Sequence, residues 1–476
     1  MEISFLAVAP EIVLSVFGIV LMTLIPAVGR ARQAQLGYLA LVGVGLALVA
    51  SLVQWGERDV VFYGTIFQDD FAQYSKILFL AALGSIILTS IHYLRQEELL
   101  RAEYFPLLLF SGVGMCLMAA SADLIVTFLG LETLSIATYV LVGYRTRVMQ
   151  STEAAIKYFL LGAFSTAFLL YGVALVYGAT GTTKYLEISR AISQFDGLPT
   201  GLLLGVGLMV VGFGFKIALV PFHVWAPDVY EGAPVPITAY LAVASKAAAV
   251  VAFLRILYQV APELSSEWHA ILWVTAVLTM LIGNVAALTQ TNIKRMLAYS
   301  SIAHAGYLMI GVTVHNQLGA QGVLFYLVAY ALMSLGAFTV VQLIGRRNEA
   351  SVQIEDYAGI GFRFPFLGLA LSVFLVSLAG IPLTAGFAGK LFLFAAAIQG
   401  QMYWLVVFAV VASAIGVYYY LRVMVLMYMR EASGEIAPVD LPMATRVLLA
   451  VMIAGTLILG IFPGSILRLA SEAMQF

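Results

Sequence analysis

Lysines at half the depth of a membrane can do one thing well, which is to hold and pass on a proton, and this chain places several there. Lys216 follows a long apolar run in GFGFKIALVPFHVWAPDVYEGAPVP, from Gly212 to Pro236. Lys246 stands ten residues beyond Pro236, His304 nine beyond Arg295, and Glu132 nine beyond Asp123. At ~1.5 Å per helical residue each lies roughly 14–15 Å into a hydrocarbon layer roughly 30 Å thick. Lys390 follows the glycine- and proline-rich run GIPLTAGFAGK and is central too. A lysine stem spans only about 6 Å, so these amines cannot reach headgroups. Ionisable groups at such depth face a water-filled cavity or one another. A Glu–Lys attraction of ~4 kcal/mol at about 4 Å and an effective dielectric near 20 matches the work of moving one proton against ~200 mV, about 4.6 kcal/mol. Making or breaking one such pair is therefore enough to drive one proton step.

Other ionisable residues read differently. Lys157 is four residues after Glu153 and either pairs with it on a helix surface or turns toward the Glu132 cavity. His223 follows the break after Lys216 and is placed to carry protons between neighbours, as is His304 in the polar run YSSIAHAGY. Lys76, Arg255 and Arg422 lie within a few turns of their span ends and read as side chains that snorkel to the headgroups. Glu11 reads as a contact to a partner helix without a transport role, and His92, His269 and His315 as interfacial. Cys116 is the only cysteine, so thiolate-bound clusters and CxxCH haem attachment are excluded within the chain. Neither HExxH nor a Walker sequence occurs, and no cofactor site is expected.

The elements that position these residues are membrane spans. The chain is 62% hydrophobic and 10% charged, against roughly 45–50% and about 25% in soluble proteins. Apolar runs begin near residues 5, 34, 71, 104, 123, 151, 201, 236, 268, 295, 319, 364, 402 and 443, which predicts an all-α polytopic membrane protein of about 14 spans. The start, MEISFLAVAPEIVLSV, lacks a basic segment and carries Glu11, so the first helix is expected to be retained. Pro221, Pro227, Pro234 and Pro236 predict that the helix of Lys216 unwinds just beyond it, and the span near 364 also reads as interrupted. The connections from Thr180 to Thr200 and from Arg346 to Arg363 read as ordinary loops. One set of alternate loops and span ends carries Arg30, Arg32, Arg95, Arg101, Arg145, Arg147, Lys294, Arg295, Arg346, Arg347, Arg363, Arg430 and Arg446, and the other only Arg58, Lys184, Arg190 and Arg468. The first set is thus cytoplasmic and both termini face outward. GFGFKIAL at Gly212 echoes GFAGKLFL at Gly386, and YVLVG at Tyr139 echoes YLMIG at Tyr307. Each pair lies five spans apart, the signature of an inverted repeat. A formal net charge of −1 offers no nucleic-acid footprint.

Five stretches carry a family resemblance: GLETLSIATYVLVGY around Glu132, EAAIKYFLLGAFSTAFLLYGVALVYGATG from Glu153, GFGFKIALVPFHVWAPDVYEGAPVPITAYLAVASKAA from Gly212, NIKRMLAYSSIAHAGYLMIG from Asn292 and SLAGIPLTAGFAGKLFLFAAAI from Ser377. They resemble the antiporter-like membrane subunits of respiratory complex I, the proton-pumping NADH:quinone oxidoreductase. The resemblance implies 14 helices, two inverted five-helix units (104–261 and 268–430) after three N-terminal helices (1–103) and before a C-terminal helix (443–476), and discontinuous helices 7 and 12. It implies proton-relay roles for Glu132, Lys157, Lys216, Lys246, His304 and Lys390. It also implies a bacterial inner-membrane location beside M-type, L-type and small K-type subunits, with FMN, iron–sulfur clusters and quinone in partner subunits. A lysine at 390, where the M-type carries glutamate, and an end soon after the last span, where the L-type adds a lateral helix, point to the N-type branch; the plant and cyanobacterial counterpart would differ at His304. The rival reading on the same helices is an Mrp-type cation/proton antiporter subunit.

Overall fold

A chain that cannot hydrogen-bond its backbone to lipid must satisfy it within helices, and the computed structural model is built almost wholly of them. It describes residues 3–29, 33–99, 101–260, 265–345, 349, 351–431 and 439–474. In chain order the helices are α1 (Ala9–Leu24), α2 (Gln33–Val53), α3 (Asp70–Gln96), α4 (Tyr104–Ala120), α5 (Leu124–Val142), α6 (Met149–Thr180), α7 (Tyr185–Ile192), α8 (Thr200–Ile217), α9 (Ala226–Gly232), α10 (Val235–Tyr240), α11 (Lys246–Gln259), α12 (Ser265–Leu288), α13 (Ile293–Val314), α14 (Gln317–Ile344), α15 (Ile360–Arg363), α16 (Pro365–Ala379), α17 (Ala385–Gln399), α18 (Tyr403–Met429), α19 (Met443–Ile461) and α20 (Gly464–Ala473). Side-chain caps start several of them: Asp69 accepts from the Ala72 amide, Asp123 from Ile125, Asn292 from Lys294 and Arg295, and Asn316 from Gly319.

Twelve helices among the described residues, counting Val235–Gln259 as one, are long and apolar enough to cross a membrane. The two other expected spans are α4, 17 residues long, and the pair α16 and α17, of 15 residues each. The break beyond Lys216 is where the prolines put it. α8 ends at Ile217, Ala218 is left-handed (φ 65°), the Val220–Pro221 bond is cis, and α9 begins at Ala226. The second break runs from Gly380 to Thr384.

Other features differ from the expectation. The connection after Thr180 holds α7, and the one before Arg363 holds a 3₁₀ turn at Ile354–Tyr357 and then α15. The last stretch is two helices, α19 and α20. A small antiparallel hairpin, β1 (Asp59–Val61) with β2 (Ile66–Gln68), sits between α2 and α3. The Val235–Gln259 helix carries a π-helical turn, Leu241–Ser245, that no residue pattern announces. Of the basic residues used for orientation, Arg30, Arg32, Arg346 and Arg347 lie outside the described residues.

Burial sorts the helices. The most apolar windows of Val235–Gln259, Ile293–Val314 and Gln317–Ile344 are 100%, 94% and 89% buried, against 28% for the α1 and α19 windows. The helices that carry Lys246 and His304 are thus the innermost, and the outer helices turn apolar faces to lipid. Small residues allow the tight crossings. A Cβ at Gly114 of α4 would stand 2.4 Å from the Gly130 carbonyl oxygen of α5, and one at Gly130 would stand 2.8 Å from that of Gly114. Gly114→Val is therefore expected to force α4 and α5 apart and reduce the amount of folded protein recovered from membranes, measured by monodisperse yield in detergent, whereas Gly178→Ala, with open space around it, leaves the yield unchanged.

Candidate functional site

Three buried lysines are met by neutral oxygen. The Lys216 amine donates to Ser135 Oγ of α5 and to the Tyr158 hydroxyl of α6, both at 2.9 Å, and stands 5.3 Å from the centre of the Tyr158 ring. Lys246, the first residue after the π turn, donates to the Ser301 carbonyl at 2.7 Å and to the Ser301 hydroxyl. Lys390 reaches Ser413 Oγ at 2.9 Å, turns back to the carbonyls of Ala379 at 3.1 Å and Leu378 at 3.4 Å, and lies 4.6 Å from the Tyr307 ring centre. Gly380 makes that seat possible. It is left-handed (φ 82°), and a Cβ there would come within 3.0 Å of the Lys390 Nζ.

Between Lys246 and Lys390 the contacts are nearly continuous. His304 is one turn beyond Ser301 on α13, its Nδ1 is 2.6 Å from the Tyr326 hydroxyl, and its Nε2 is 3.2 Å from that of Tyr420. Tyr420 also bonds Ser300. Asn284 donates to the Tyr307 hydroxyl at 3.2 Å and accepts from Tyr419 at 3.0 Å. Between Lys216 and Lys246 stand aromatic rings: Trp225 stacks on Tyr158 at 4.7 Å and lies edge-on to Tyr230 at 6.0 Å.

Glu132 and Lys216 are not paired in this structure, where the Lys216 amine rests on hydroxyls. Glu132 sits one turn before Ser135 and keeps a buried oxygen, Oε1, without a protein partner. Lys157 does not turn toward Glu132 either. Its amine pairs with Glu153 and Asp228 at 2.7 and 2.8 Å, and Arg295 links Asp228 to Glu231, in a partly exposed network at the starts of α6, α9 and α13. The residue that enters the axis is its neighbour Tyr158. His223 lies half-buried in the break with an unpartnered Nδ1.

Two snorkelling readings are corrected. Lys76 is fully buried and pairs with Glu11 at 2.7 Å. Arg255 is fully buried, forms a bidentate pair with Asp69 at 2.7 Å twice, and lies over the rings of Phe67 and Phe71. Both read as end-of-span residues in sequence, but their helices are covered by others. Arg422, two turns before the end of α18, is partly buried and bonds the Leu288 and Gln290 carbonyls at the end of α12.

A further buried group went unseen. Glu349 accepts from Tyr93 at 2.6 Å and from the Val235 amide at 3.0 Å, and pairs with Lys294 at 2.7 Å and Arg145 at 2.9 Å. It ties α3, the turn after α5, the start of α10 and the start of α13 together, and so sets Lys246 against Ser301. Nothing local in the sequence marks it, because its partners Tyr93, Arg145, Val235 and Lys294 lie on separate segments.

Helices of this order and depth around buried amines define an antiporter-like membrane subunit. The family model described as "NADH:quinone oxidoreductase/Mrp antiporter, TM" matches residues 121–416. The chain is 46% identical to NADH-quinone oxidoreductase subunit N of Trichlorobacter lovleyi, over 98% of this chain and 96% of that one. A chain of respiratory complex I from Thermus thermophilus superposes with TM-score 0.83 at 36% identity, covering 97% of this chain and 99% of that one. A chain of the Mrp complex from Dietzia shares the fold, with TM-score 0.85 at 20% identity over 99% and 97%. The chain belongs to the subunit N family of NADH-quinone oxidoreductase.

Glu349 yields a pH-dependent expectation. Burial pushes its carboxyl up, but Lys294 and Arg145 outweigh burial and hold it below its ordinary value. Its contribution to stability is then present above that ordinary value and lost as pH falls through the folded one. Glu349→Gln is expected to destabilise by ~3–5 kcal/mol at neutral pH, read as a lower unfolding midpoint, with the gap to the parent protein narrowing under acid conditions.

Proposed function

We propose that this chain carries protons from the inner to the outer side of a bacterial inner membrane, as one subunit of a quinone-reducing complex whose FMN, iron–sulfur clusters and quinone belong to partner subunits. M-type, L-type and small K-type subunits are its neighbours in this reading. The chain would cross the membrane 14 times with both termini outside. Two inverted five-helix units, 104–261 and 268–430, would bring the broken seventh and twelfth spans (α8 with α9, α16 with α17) to the two ends of one polar axis.

The observation that carries the reading is that the amines of Lys216, Lys246 and Lys390 are buried in the membrane layer and held by hydroxyls and carbonyls rather than by carboxylates. Such oxygens stabilise an ammonium without fixing its proton. A proton entering near Glu132 would load Lys216, pass by way of Tyr158 to Lys246, cross Ser301 to His304, and reach Lys390 beside Tyr307 before leaving outward. His223, in the open break, would carry protons at the inner mouth, while Lys157 would hold α6 to α9 there through Asp228. Glu132, one turn from the hydroxyl that holds Lys216, would gate loading: with the amine on Ser135 the carboxylate is free of it, and an amine swung to Glu132 would be held charged. The two arrangements form a switch that events elsewhere in the complex could bias. The fold alone also suits an Mrp-type cation/proton antiporter, so isolation of the assembly with or without flavin and iron–sulfur proteins separates the two.

Removing a positioned proton carrier slows its step by ~10²–10⁴-fold. In the assembled enzyme, Lys216→Ala, Lys246→Ala and Lys390→Ala are each expected to lower the protons moved per electron, measured as acidification driven by NADH oxidation. A parental ratio in any of them removes that lysine from the path. Tyr158→Phe, which deletes one of the two bonds to Lys216, is expected to lower the ratio further than Lys157→Met does; the reverse order would return Lys157 to the axis.

A further inference from the structure

Away from the axis, the outer ends of α1, α2 and α3 hold a second buried charge pair with unusual surroundings. Glu11 lies in the first turn of α1, Ser51 and Gln54 at the end of α2, and Gln73, Ser75 and Lys76 in the first two turns of α3. The antiparallel packing of α1 on α2 and of α2 on α3 brings these ends to one level. All six residues are buried, at 4% exposure or less. The Lys76 amine is 2.7 Å from Glu11 Oε1 and also reaches the Ala7 carbonyl at 3.4 Å. At this end of α1 to α3, Glu11 Oε2, Ser51 Oγ, Gln54 Oε1, both amide atoms of Gln73 and Ser75 Oγ have no hydrogen-bond partner in the protein.

Buried polar atoms are almost always bonded, and leaving them bare is strongly unfavourable. Water satisfies buried groups that the protein leaves open, and this end of the three-helix unit has six of them. The other buried ion pairs contrast with this one. Arg255 bonds Asp69 bidentately, and Glu349 is bonded on both oxygens. In those pairs both carboxylate oxygens are bonded by protein, whereas Glu11 Oε2 is not. The same helix, α3, packs against α10 and against the π turn that precedes Lys246, and Tyr240 of α10 reaches Ser111 and Met115 of α4, next to Cys116, which shares the electrostatic surroundings of Glu11 and Lys76.

We propose that Glu11 and Lys76 form a hydrated proton-exchange site, an outlet on the outer side that is separate from Lys390. The inference rests on the proton-carrying reading given above. The Lys76 ammonium passes its proton to the Glu11 carboxylate across 2.7 Å, leaving both groups neutral. The carboxyl proton then leaves to outer water, and a hydronium delivered from the relay side to Gln73 gives the amine its next proton and becomes water.

Two measurements on the assembled enzyme test this. A density map fine enough to show water should place ordered waters against Gln73, Ser75 and Glu11; dry packing there overturns the site. In proton-per-electron assays, Glu11→Gln and Lys76→Met should lower the ratio, though less than Lys216→Ala does, because the Lys390 outlet remains. If a single change leaves a lone buried charge and blocks assembly, the doubly neutral Glu11→Gln/Lys76→Gln enzyme replaces it. A parental ratio in an assembled variant overturns the outlet. A parental ratio in Lys216→Ala would instead overturn the main reading, so the two failures are told apart.

Discussion

The structure depends on how an ammonium is kept inside a low-dielectric layer. Desolvation disfavours the charged form, so every buried amine must find oxygen. Two solutions coexist here. Lys76, Arg255 and Lys294 meet carboxylates, and Arg255 and Lys294 hold helices together near the ends of the spans. Lys216, Lys246 and Lys390 meet hydroxyls and peptide carbonyls. At Lys390 the helix break serves the second solution. A regular helix spends its carbonyls on itself, whereas an interrupted one leaves a few for a neighbour. Lys390 takes two of these from the end of α16.

The two breaks are used in different ways. Lys216 is one residue from the end of α8 and reaches across to α5 and α6, so its partners belong to other helices. Lys390 lies beyond its break and reaches back to the strand of backbone it has just left. The similar octapeptides at Gly212 and Gly386 therefore produce unlike seats, because one precedes the interruption and the other follows it.

Much of this was legible in the sequence, for clear reasons. Depth follows from counting residues for Glu132, Lys246 and His304, and proline chemistry located the first break, beside Lys216. Direction was not legible. A helix that is apolar all round has no polar face to mark its inner side, so the side on which Lys76 or Arg255 points could not be read, and snorkelling was the natural expectation. One residue turns a helix by about 100°, which separates Lys157, facing the ion network of Asp228 and Glu153, from Tyr158, facing Lys216. The hydroxyl partners Ser135, Ser301 and Ser413 are small and common, and nothing local distinguishes them from other serines. Glu349 escaped for a different reason: its partners come from four distant segments, and only the fold assembles them.

The seat of Lys390 has a consequence of its own. The carbonyls of Leu378 and Ala379 carry the negative end of a helix dipole, equivalent to roughly half an elementary charge. Unlike a carboxylate, that end never titrates. It attracts an incoming cation with the same strength at every stage of a cycle, like an electrode that cannot be discharged, so the timing of departure has to be set by other groups.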